Sequence, residues 1–442
     1  MKADNRKIGL LQATSIAVGT MIGASIFSIF GLGATIAGHN LPLVFVASGI
    51  VALLVAYSYA IMGAKIISNA GPMEFILQAF GDSLMTGALS FLFWLSYVVS
   101  ISLFAKGFAG YLLPLLGIEN TPLAKGGMET LVVLAFMALN LAGSERVGKA
   151  EFFIVLIKLT ILGVFVVLGL SSVNPDWVKP QLDSAHLQQT LNGTAVFFLA
   201  YMGFGLVTNA SEHMKDPQRN VPKAIYLSIF IVSVVYVFVS VVAVGNLSIP
   251  DMVKAEDFAL AEAAKPFLGH WGYILVSVGA LFSIASALNA TLYGGANIAY
   301  ALARDGELPR VFKRKSWFRA PEGLYITVAL SLLFTLLLNL NGIASVTSAV
   351  VMLIYLFVLA AHYRMLKKVG GRKPIIVLSF VVVVAVFIAL LHYLWRTNMA
   401  SFWAIWITFG GSLILEMIYR FTTGRELQTV LQRNRKALHE KT

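Results

Sequence analysis

Two short glycine-containing segments stand in the middle of long apolar stretches, and their backbone groups could bind a small zwitterion. They are residues 19–25, with the sequence GTMIGAS, and residues 201–205, with the sequence YMGFG. A helix that unwinds inside a membrane exposes amides on one half-helix and carbonyl oxygens on the other, and these groups suit a carboxylate and an ammonium. The alternative is that glycines four residues apart only let two helices approach closely. The second interruption favours unwinding, because matching breaks are typical of inverted repeats.

Lys158 lies within an apolar run, residues 152–167, where a charge is costly. One interpretation is a side chain that extends towards the inner membrane surface. The other places its amine against carbonyl oxygens released by the first break, where burial favours loss of the proton. We single out Lys158 as the candidate for proton coupling, with Gly19 and Ser283 expected beside it.

The other ionisable residues lead to weaker expectations. Lys106 stands eight residues before Pro114, and its side chain is expected to extend to the outer surface, with a role in an outer vestibule as the alternative. No Asp or Glu is expected at membrane depth. The seven histidines are scattered without an i,i+4 pair, which predicts that there is no metal site. No Walker loop, nucleophile elbow or Rossmann glycine pattern occurs, so we expect no enzyme.

These residues must be positioned by helices that cross a lipid bilayer. Of the 442 residues 58% are hydrophobic and 12% charged, and the mean hydropathy is +0.81, whereas soluble domains carry roughly 25% charged residues. The absence of cysteine excludes a disulfide-stapled fold and Cys-ligated metals. Apolar runs of about 20 residues predict twelve spans. We place them at residues 10–37, 42–67, 84–115, 127–143, 150–173, 191–213, 223–245, 269–303, 322–340, 343–366, 374–395 and 401–420.

The distribution of Lys and Arg follows the positive-inside rule when the N-terminus is placed on the inner side. Two of the 33, Lys106 and Lys158, lie well inside spans, and five lie in outer loops: Lys125, Lys179, Lys254, Lys265 and Arg396. The other 26 lie in inner loops and tails, counting those at the inner ends of spans. We therefore expect a multi-pass protein of the cell membrane with both termini in the cytoplasm. The net charge of +12 follows from this topology, and nucleic-acid binding is not expected.

Four ordered motifs resemble those of the amino acid, polyamine and organocation (APC) superfamily. Residues 23–27 (GASIF) are similar to its first-span pattern G-S/A/T-G-I-F, and residues 201–204 (YMGF) to its sixth-span motif Y-x-G-F. Glu212 with residues 216–225 (DPQRNVPKAI) resembles E-x-x-x-N-P-x-R-x-I-P-x-A-I, and residues 303–309 (ARDGELP) resemble A-R-D-G-x-L-P. The likeness covers the whole chain, and within the superfamily it is greatest to proton-coupled amino acid transporters of broad specificity.

The resemblance implies an all-α integral membrane protein with a LeuT-type fold. Two inverted repeats of five helices, with helices one and six broken, would occupy residues 1–174 and 175–366, followed by two extra helices at 367–421 and a cytoplasmic tail at 422–442. Coupling is implied through Lys158 near Gly19 and Ser283, where sodium-driven relatives bind an ion. The resemblance also places the substrate at the backbone of nine residues: Ile22, Gly23, Ala24, Ser25, Ile26, Met202, Gly203, Phe204 and Gly205.

Two positions depart from the superfamily pattern. Ser25 stands where many relatives have a third glycine, and Gly205 where many have Glu or Asp, so no carboxylate at position 205 can meet a cationic substrate. We therefore predict symport of neutral amino acids of broad specificity by alternating access, with the proton as coupling ion, no sodium and no cofactor. The alternatives are an exchanger with Lys158 as a fixed charge and a receptor that transports nothing. The expected partners are the amino acid, the proton and the bilayer, and the oligomeric state is left open.

Overall fold

The chain folds into long, closely packed helices. The structure, a computed structural model, describes residues 8–141, 147–304, 306, 308–314 and 322–423. These residues form no named strand, and an isolated bridge joins Ile8 to Met214. The predicted all-α class is confirmed.

The first predicted span is broken into three helices, α1 (Leu10–Met21), α2 (Ala24–Phe27) and α3 (Phe30–Ala37). The helical path is lost at Ile22 (φ −82°, ψ 85°) and Gly23 (φ −144°, ψ −138°), within the segment GTMIGAS. The predicted interruption is therefore present, and it divides this span near its middle.

Five helices follow the first span. Ser83 caps the longest of them, because its hydroxyl accepts a hydrogen bond from the amide of Thr86 at 3.1 Å. The helices are α4 (Leu41–Lys65), α5 (Pro72–Phe80), α6 (Leu84–Leu115), α7 (Pro122–Leu141) and α8 (Val147–Gly169).

The sixth predicted span is interrupted as well. It begins with α9 (Ser184–Phe197), continues as a 3₁₀ stretch (Phe198–Gly205) and ends with α10 (Leu206–Asn209). Asp183 starts α9 by accepting hydrogen bonds from the amides of the first turn. The 3₁₀ winding contains the whole YMGFG segment, so the change of helix type lies where the glycines predict it.

The rest of the chain contributes eight helices. Between α11 and α14, residues 249–262 form a segment that packs against α3, which we call the strap. The helices are α11 (Pro217–Asn246), α12 (Ile249–Ala255), α13 (Ala259–Glu262), α14 (Lys265–Arg304), α15 (Glu322–Leu337), α16 (Leu340–Val369), α17 (Lys373–Thr397) and α18 (Met399–Thr423).

The helices form a multi-pass membrane protein. In the described ranges, ten helical segments are long and apolar enough to cross a bilayer, and α1 and α15 are apolar but shorter. The predicted span 84–115 coincides with α6, whereas spans four and six begin earlier than predicted, at Pro122 and Ser184. The count of twelve spans, the inverted repeats and the unit boundaries stay predictions.

Two groups of helices face each other across the broken spans. In one group α4 and α11 run along each other and both contact the 3₁₀ stretch, and α11 also contacts α1. In the other group α6 is buried on nearly all sides by neighbours that include α14, α15 and α16. The breaks therefore lie between two packed groups, away from the lipid-facing surface.

Candidate functional site

Lys158 of α8 contacts the carbonyl oxygens that the first break releases. Its Nζ donates to Gly19 O at 2.6 Å and to Ile22 O at 3.0 Å, and Ser283 of α14 donates to the same Ile22 O at 2.7 Å. In a continuous helix Gly19 O would accept from the amide of Gly23. That amide instead bonds to Met21 O at 3.1 Å, so the break leaves Gly19 O available to the ammonium.

Burial makes these contacts necessary. Lys158 is 1% exposed, and a buried amine is tolerated only when hydrogen-bond acceptors replace water. Its neighbours Leu156 and Ile157 are more than half exposed on the outside of α8, so the lysine lies on the face of α8 that packs against the protein. The interpretation of Lys158 as a side chain extended to the membrane surface is wrong.

Tyr236 of α11 connects the two breaks. Its hydroxyl donates to Met21 O in the first break and lies 3.3 Å from Ala200 O in the 3₁₀ stretch. Ser25 Oγ donates to Met21 O at 2.6 Å and lies 3.2 Å from the same hydroxyl. The 3₁₀ stretch also approaches α1 closely at Gly203, where a Cβ would lie 3.0 Å from the Met21 nitrogen. The breaks therefore belong to one site.

The first turn of α2 offers free amide groups to this site. The amides of Ile26 and Phe27 both lie 3.3 Å from Gly23 O. Those of Ala24 and Ser25 have no acceptor within the described chain, as expected at the start of a helix. Amides at a helix start are suited to a carboxylate, and the carbonyl oxygens of the break are suited to an ammonium.

A cavity adjoins both breaks. Its volume is about 560 Å³, which includes the solvent space at its opening. The residues that line it include Thr20, Met202, Gly203 and Gly205. It extends past Asn209 to Pro72, near the place where Ile8 pairs with Met214. We call this the N-terminal side. The described residues lining the cavity include none from α2 or α3, so the cavity is displaced to the N-terminal side of the first break.

The cavity wall is aromatic and uncharged. Tyr59, Phe93, Tyr97 and Tyr355 contribute rings, and Asn209 Nδ2 donates to Tyr97 Oη at 3.1 Å. No Asp, Glu, Lys or Arg is found among the described lining residues. The cavity can therefore take an apolar or neutral polar group, but it offers no counter-ion to a charged one.

The predicted substrate residues divide into two sets. Met202, Gly203 and Gly205 line the cavity, whereas Phe204 packs its ring against Tyr59 and Tyr355, with centroids 5.4 and 5.5 Å away. The residues of the first break are buried and do not line the cavity: Ile22, Gly23, Ala24, Ser25 and Ile26. Thr20, two residues before Ile22, does line the cavity, so the backbone of the first break lies next to it. The role of these five residues in substrate binding stays a prediction.

The side opposite the N-terminal side is closed. Tyr111 of α6 donates to Phe27 O at 2.8 Å. Asp257 of the strap packs closely against Gly110 of α6. A Cβ added to Gly110 would lie 2.4 Å from Asp257 Cβ. Asp257 Oδ2 lies 3.4 Å from Lys125 Nζ. Burial raises the pKa of Asp257, and Lys125 only partly offsets this.

Two residues of the site, Tyr236 and Asn209, were not identified from the sequence. Tyr236, which joins the breaks, could have been noticed as a hydroxyl within a long apolar run, residues 229–245. Asn209 could have been noticed as an amide shortly after the YMGFG segment. In both cases the residue type was visible, but its partner lies on another helix.

The expectation that the apolar spans contain no Asp or Glu is wrong. Carboxylates do occur within long apolar helices: Glu129 in α7 is 4% exposed and Glu416 in α18 is fully buried. Lys106 is paired within the protein, because its Nζ lies 3.2 Å from Glu129 Oε1 and its side chain is only 16% exposed. Its expected extension to the outer surface stays a prediction. Arg420 lies 2.6 Å from Glu416 and also pairs with Asp82. Arg and Lys partners thus allow these carboxylates to be buried.

Comparisons with known proteins agree with this architecture. The family model described as "Amino acid permease" matches residues 8–418. The chain is 58% identical over 425 residues to "Uncharacterized protein MJ0609" of Methanocaldococcus jannaschii, covering 96% of this chain and 98% of that protein. It is 33% identical over 420 residues to "Inner membrane transport protein YbaT" of Escherichia coli, covering 94% and 95%.

A more distant relative has a more specific name. The chain is 29% identical over 333 residues to the "Methylthioribose transporter" of Bacillus subtilis, covering 71% of this chain and 70% of that protein. The family model covers more than nine tenths of the chain, from α1 to α18. The chain is thus a transporter of amino acids and not an enzyme, and it belongs to the amino acid permease family.

Proposed function

We propose that the protein is a proton-coupled symporter of neutral amino acids with broad specificity, working by alternating access. One observation carries the proposal: the buried Lys158 ammonium rests on two carbonyl oxygens of the first break, beside Ser283. This places a group that can bind a proton on the backbone that would hold the substrate. The proposal agrees with the sequence resemblance to proton-coupled amino acid transporters of the superfamily, such as ApcT. A specific relationship to ApcT stays a prediction.

The substrate would bind by its backbone groups. The amides of Ala24 and Ser25 would receive the carboxylate, and carbonyl oxygens of the two breaks would receive the ammonium. The side chain would extend into the uncharged cavity. The absence of charged groups from its described lining, together with glycine at position 205, supports a neutral substrate.

Coupling requires that Lys158 hold its proton differently in two states, because a ligand with equal affinity for both states shifts nothing. In the present state the amine has two backbone acceptors, which stabilise its charged form. A shift of α1 away from α8 would remove them and favour release of the proton. We propose the proton as coupling ion in place of sodium, since the ammonium occupies the released carbonyl oxygens.

The orientation follows from the charge distribution. We propose a cell-membrane protein with the N-terminal side in the cytoplasm, because most Lys and Arg lie on that side of the predicted spans. The cavity would then face inward in this structure. Both termini would be cytoplasmic, and the C-terminal tail lies outside the described residues.

A second candidate is an exchanger in which Lys158 stays charged. The two short contacts to Gly19 and Ile22 favour it, because they stabilise the ammonium permanently if the break never moves from α8. A receptor that binds without transport is the third possibility. A symporter is driven by the proton gradient and an exchanger by amino acid on the other side, whereas a receptor shows no uptake. Replacing the lysine separates the first two.

The test is uptake of labelled neutral amino acids into liposomes containing the purified chain, with and without an acidic exterior. We expect acid-driven uptake that Lys158→Ala abolishes while amino acid binding remains. Lys158→Arg keeps the charge permanently, so a symporter should lose acid-driven uptake and an exchanger should keep exchange. The matched control is Lys65→Ala, an exposed lysine at the end of α4. Unchanged pH dependence in Lys158→Ala would contradict the proposal.

A further inference from the structure

A second cavity lies on the side opposite the N-terminal side, between α3, α9, α16 and α17. It measures about 910 Å³, counted with the solvent in its mouth, which is within the range of roughly 300–1,000 Å³ for ligand pockets. We call it the α17 groove. Besides three hydroxyl groups, its polar lining includes one guanidinium, one imidazole and four carboxamides, from Arg396, His392, Gln188, Gln189, Asn192 and Asn341.

The α17 groove is electropositive. No Asp or Glu is found among the described residues that line it, and Arg396 forms no ion pair within the described chain. A guanidinium presents paired N–H donors that match the oxygens of a phosphate, and carboxamides add neutral donors. The lining is therefore suited to an anion with several acceptor oxygens.

Aromatic side chains place the groove at the depth of lipid headgroups. Trp395, Trp403 and Trp406 are each between 43% and 54% exposed, and Phe402 joins them, with ring centroids 5.2 to 6.3 Å away. Exposed tryptophans of membrane proteins concentrate at the level of the headgroups. Arg396 directly follows Trp395 in the sequence, so its guanidinium belongs to the same level.

The groove also borders the lipid. Along the length of α17, Val381 and Ile388 are each 58% exposed, and such an apolar face on a membrane helix is covered by acyl chains. A lipid lying on this face would bring its phosphate to Arg396. We propose that the α17 groove binds the phosphate headgroup of an anionic phospholipid, an inference that does not depend on the proposed transport mechanism.

The experiment measures binding of short-chain phosphatidylglycerol to the full-length protein in a neutral detergent, by native mass spectrometry and by the shift in melting temperature. We expect saturable binding that Arg396→Gln weakens at least tenfold, which corresponds to about 1.4 kcal/mol. The matched control is Lys254→Gln, which removes an exposed lysine from the strap, outside the groove. It should leave binding unchanged.

Three results would overturn the inference. Equal binding by Arg396→Gln and the parent would exclude the groove. Equal weakening by Lys254→Gln would indicate attraction by surface charge alone. Binding of free glycerol 3-phosphate as tight as that of the lipid would assign the groove to a soluble phosphate compound. As a second variant, Asn192→Leu keeps every charge and removes one carboxamide, and it should weaken binding without changing the salt dependence.

Discussion

At the scale of single residues, Asp257 of the strap should make stability depend on pH. Burial raises its pKa above the ordinary value, although Lys125 and, further away, Lys106 oppose the shift and Glu256 adds to it. The folded protein therefore holds this proton more tightly than the unfolded chain, so acidification should stabilise the fold until the ordinary pKa is reached. Relative to Asp257→Asn, the parent should gain melting temperature as the pH is lowered from neutral towards the ordinary pKa of an aspartic acid.

The control for Asp257 is Asp176→Asn, which removes a carboxylate that is 77% exposed in its side chain and pairs with Lys179. The difference in melting temperature between Asp176→Asn and the parent should stay constant over the same pH range, because exposed ion pairs contribute little to stability. If the parent and Asp257→Asn lose or gain melting temperature in parallel, the buried carboxylate does not titrate as we expect.

Individual site residues were predictable only in part from the sequence. Lys158 could be singled out because a lone lysine in an apolar run must find acceptors, and Gly19 is the type of residue that releases one. The pairing of Lys106 with Glu129 was not predicted, because Glu129 lies on another helix, 23 positions later. A single sequence gives residue type and approximate depth, but the neighbour that neutralises a charge is decided by packing.

At the scale of elements, the close approach of the 3₁₀ stretch to α1 depends on Gly203. A Cβ there would lie 3.0 Å from the Met21 nitrogen and 3.1 Å from Ala17 O, both backbone atoms. Since backbone cannot yield as a side chain can, Gly203→Ala should cost about 1–3 kcal/mol. Gly205, two residues later in the same 3₁₀ stretch, serves as the control, because a Cβ added there would contact only Tyr59, at 3.4 Å. Gly205→Ala should therefore be tolerated.

Thermal unfolding of the two glycine variants in detergent measures this difference, and amino acid uptake shows whether the joined breaks matter for transport. Equal melting temperatures would mean that the contact between α1 and the 3₁₀ stretch is easily rearranged. The existence of both breaks followed from glycine placement, but the 3₁₀ winding did not. Nor did the two short helices of the strap, because helices of four and seven residues are stabilised mainly by packing.

At the scale of the whole molecule, the cavity and the closed opposite side together predict one-sided access to the breaks. The chain has no cysteine, so a single introduced thiol reports access directly. Thr20 lines the cavity and is half-buried, whereas Lys254 is exposed on the strap across the molecule. In sealed vesicles of known orientation, a membrane-impermeant maleimide should modify Thr20→Cys at least about tenfold faster from the N-terminal side. It should modify Lys254→Cys faster from the other side.

An added amino acid substrate should slow the modification of Thr20→Cys and leave that of Lys254→Cys unchanged, since only the thiol at position 20 adjoins the breaks. Equal modification of Thr20→Cys from both sides would contradict one-sided access, because the contacts of Tyr111 with Phe27 and of the strap with α6 would then not close the opposite side.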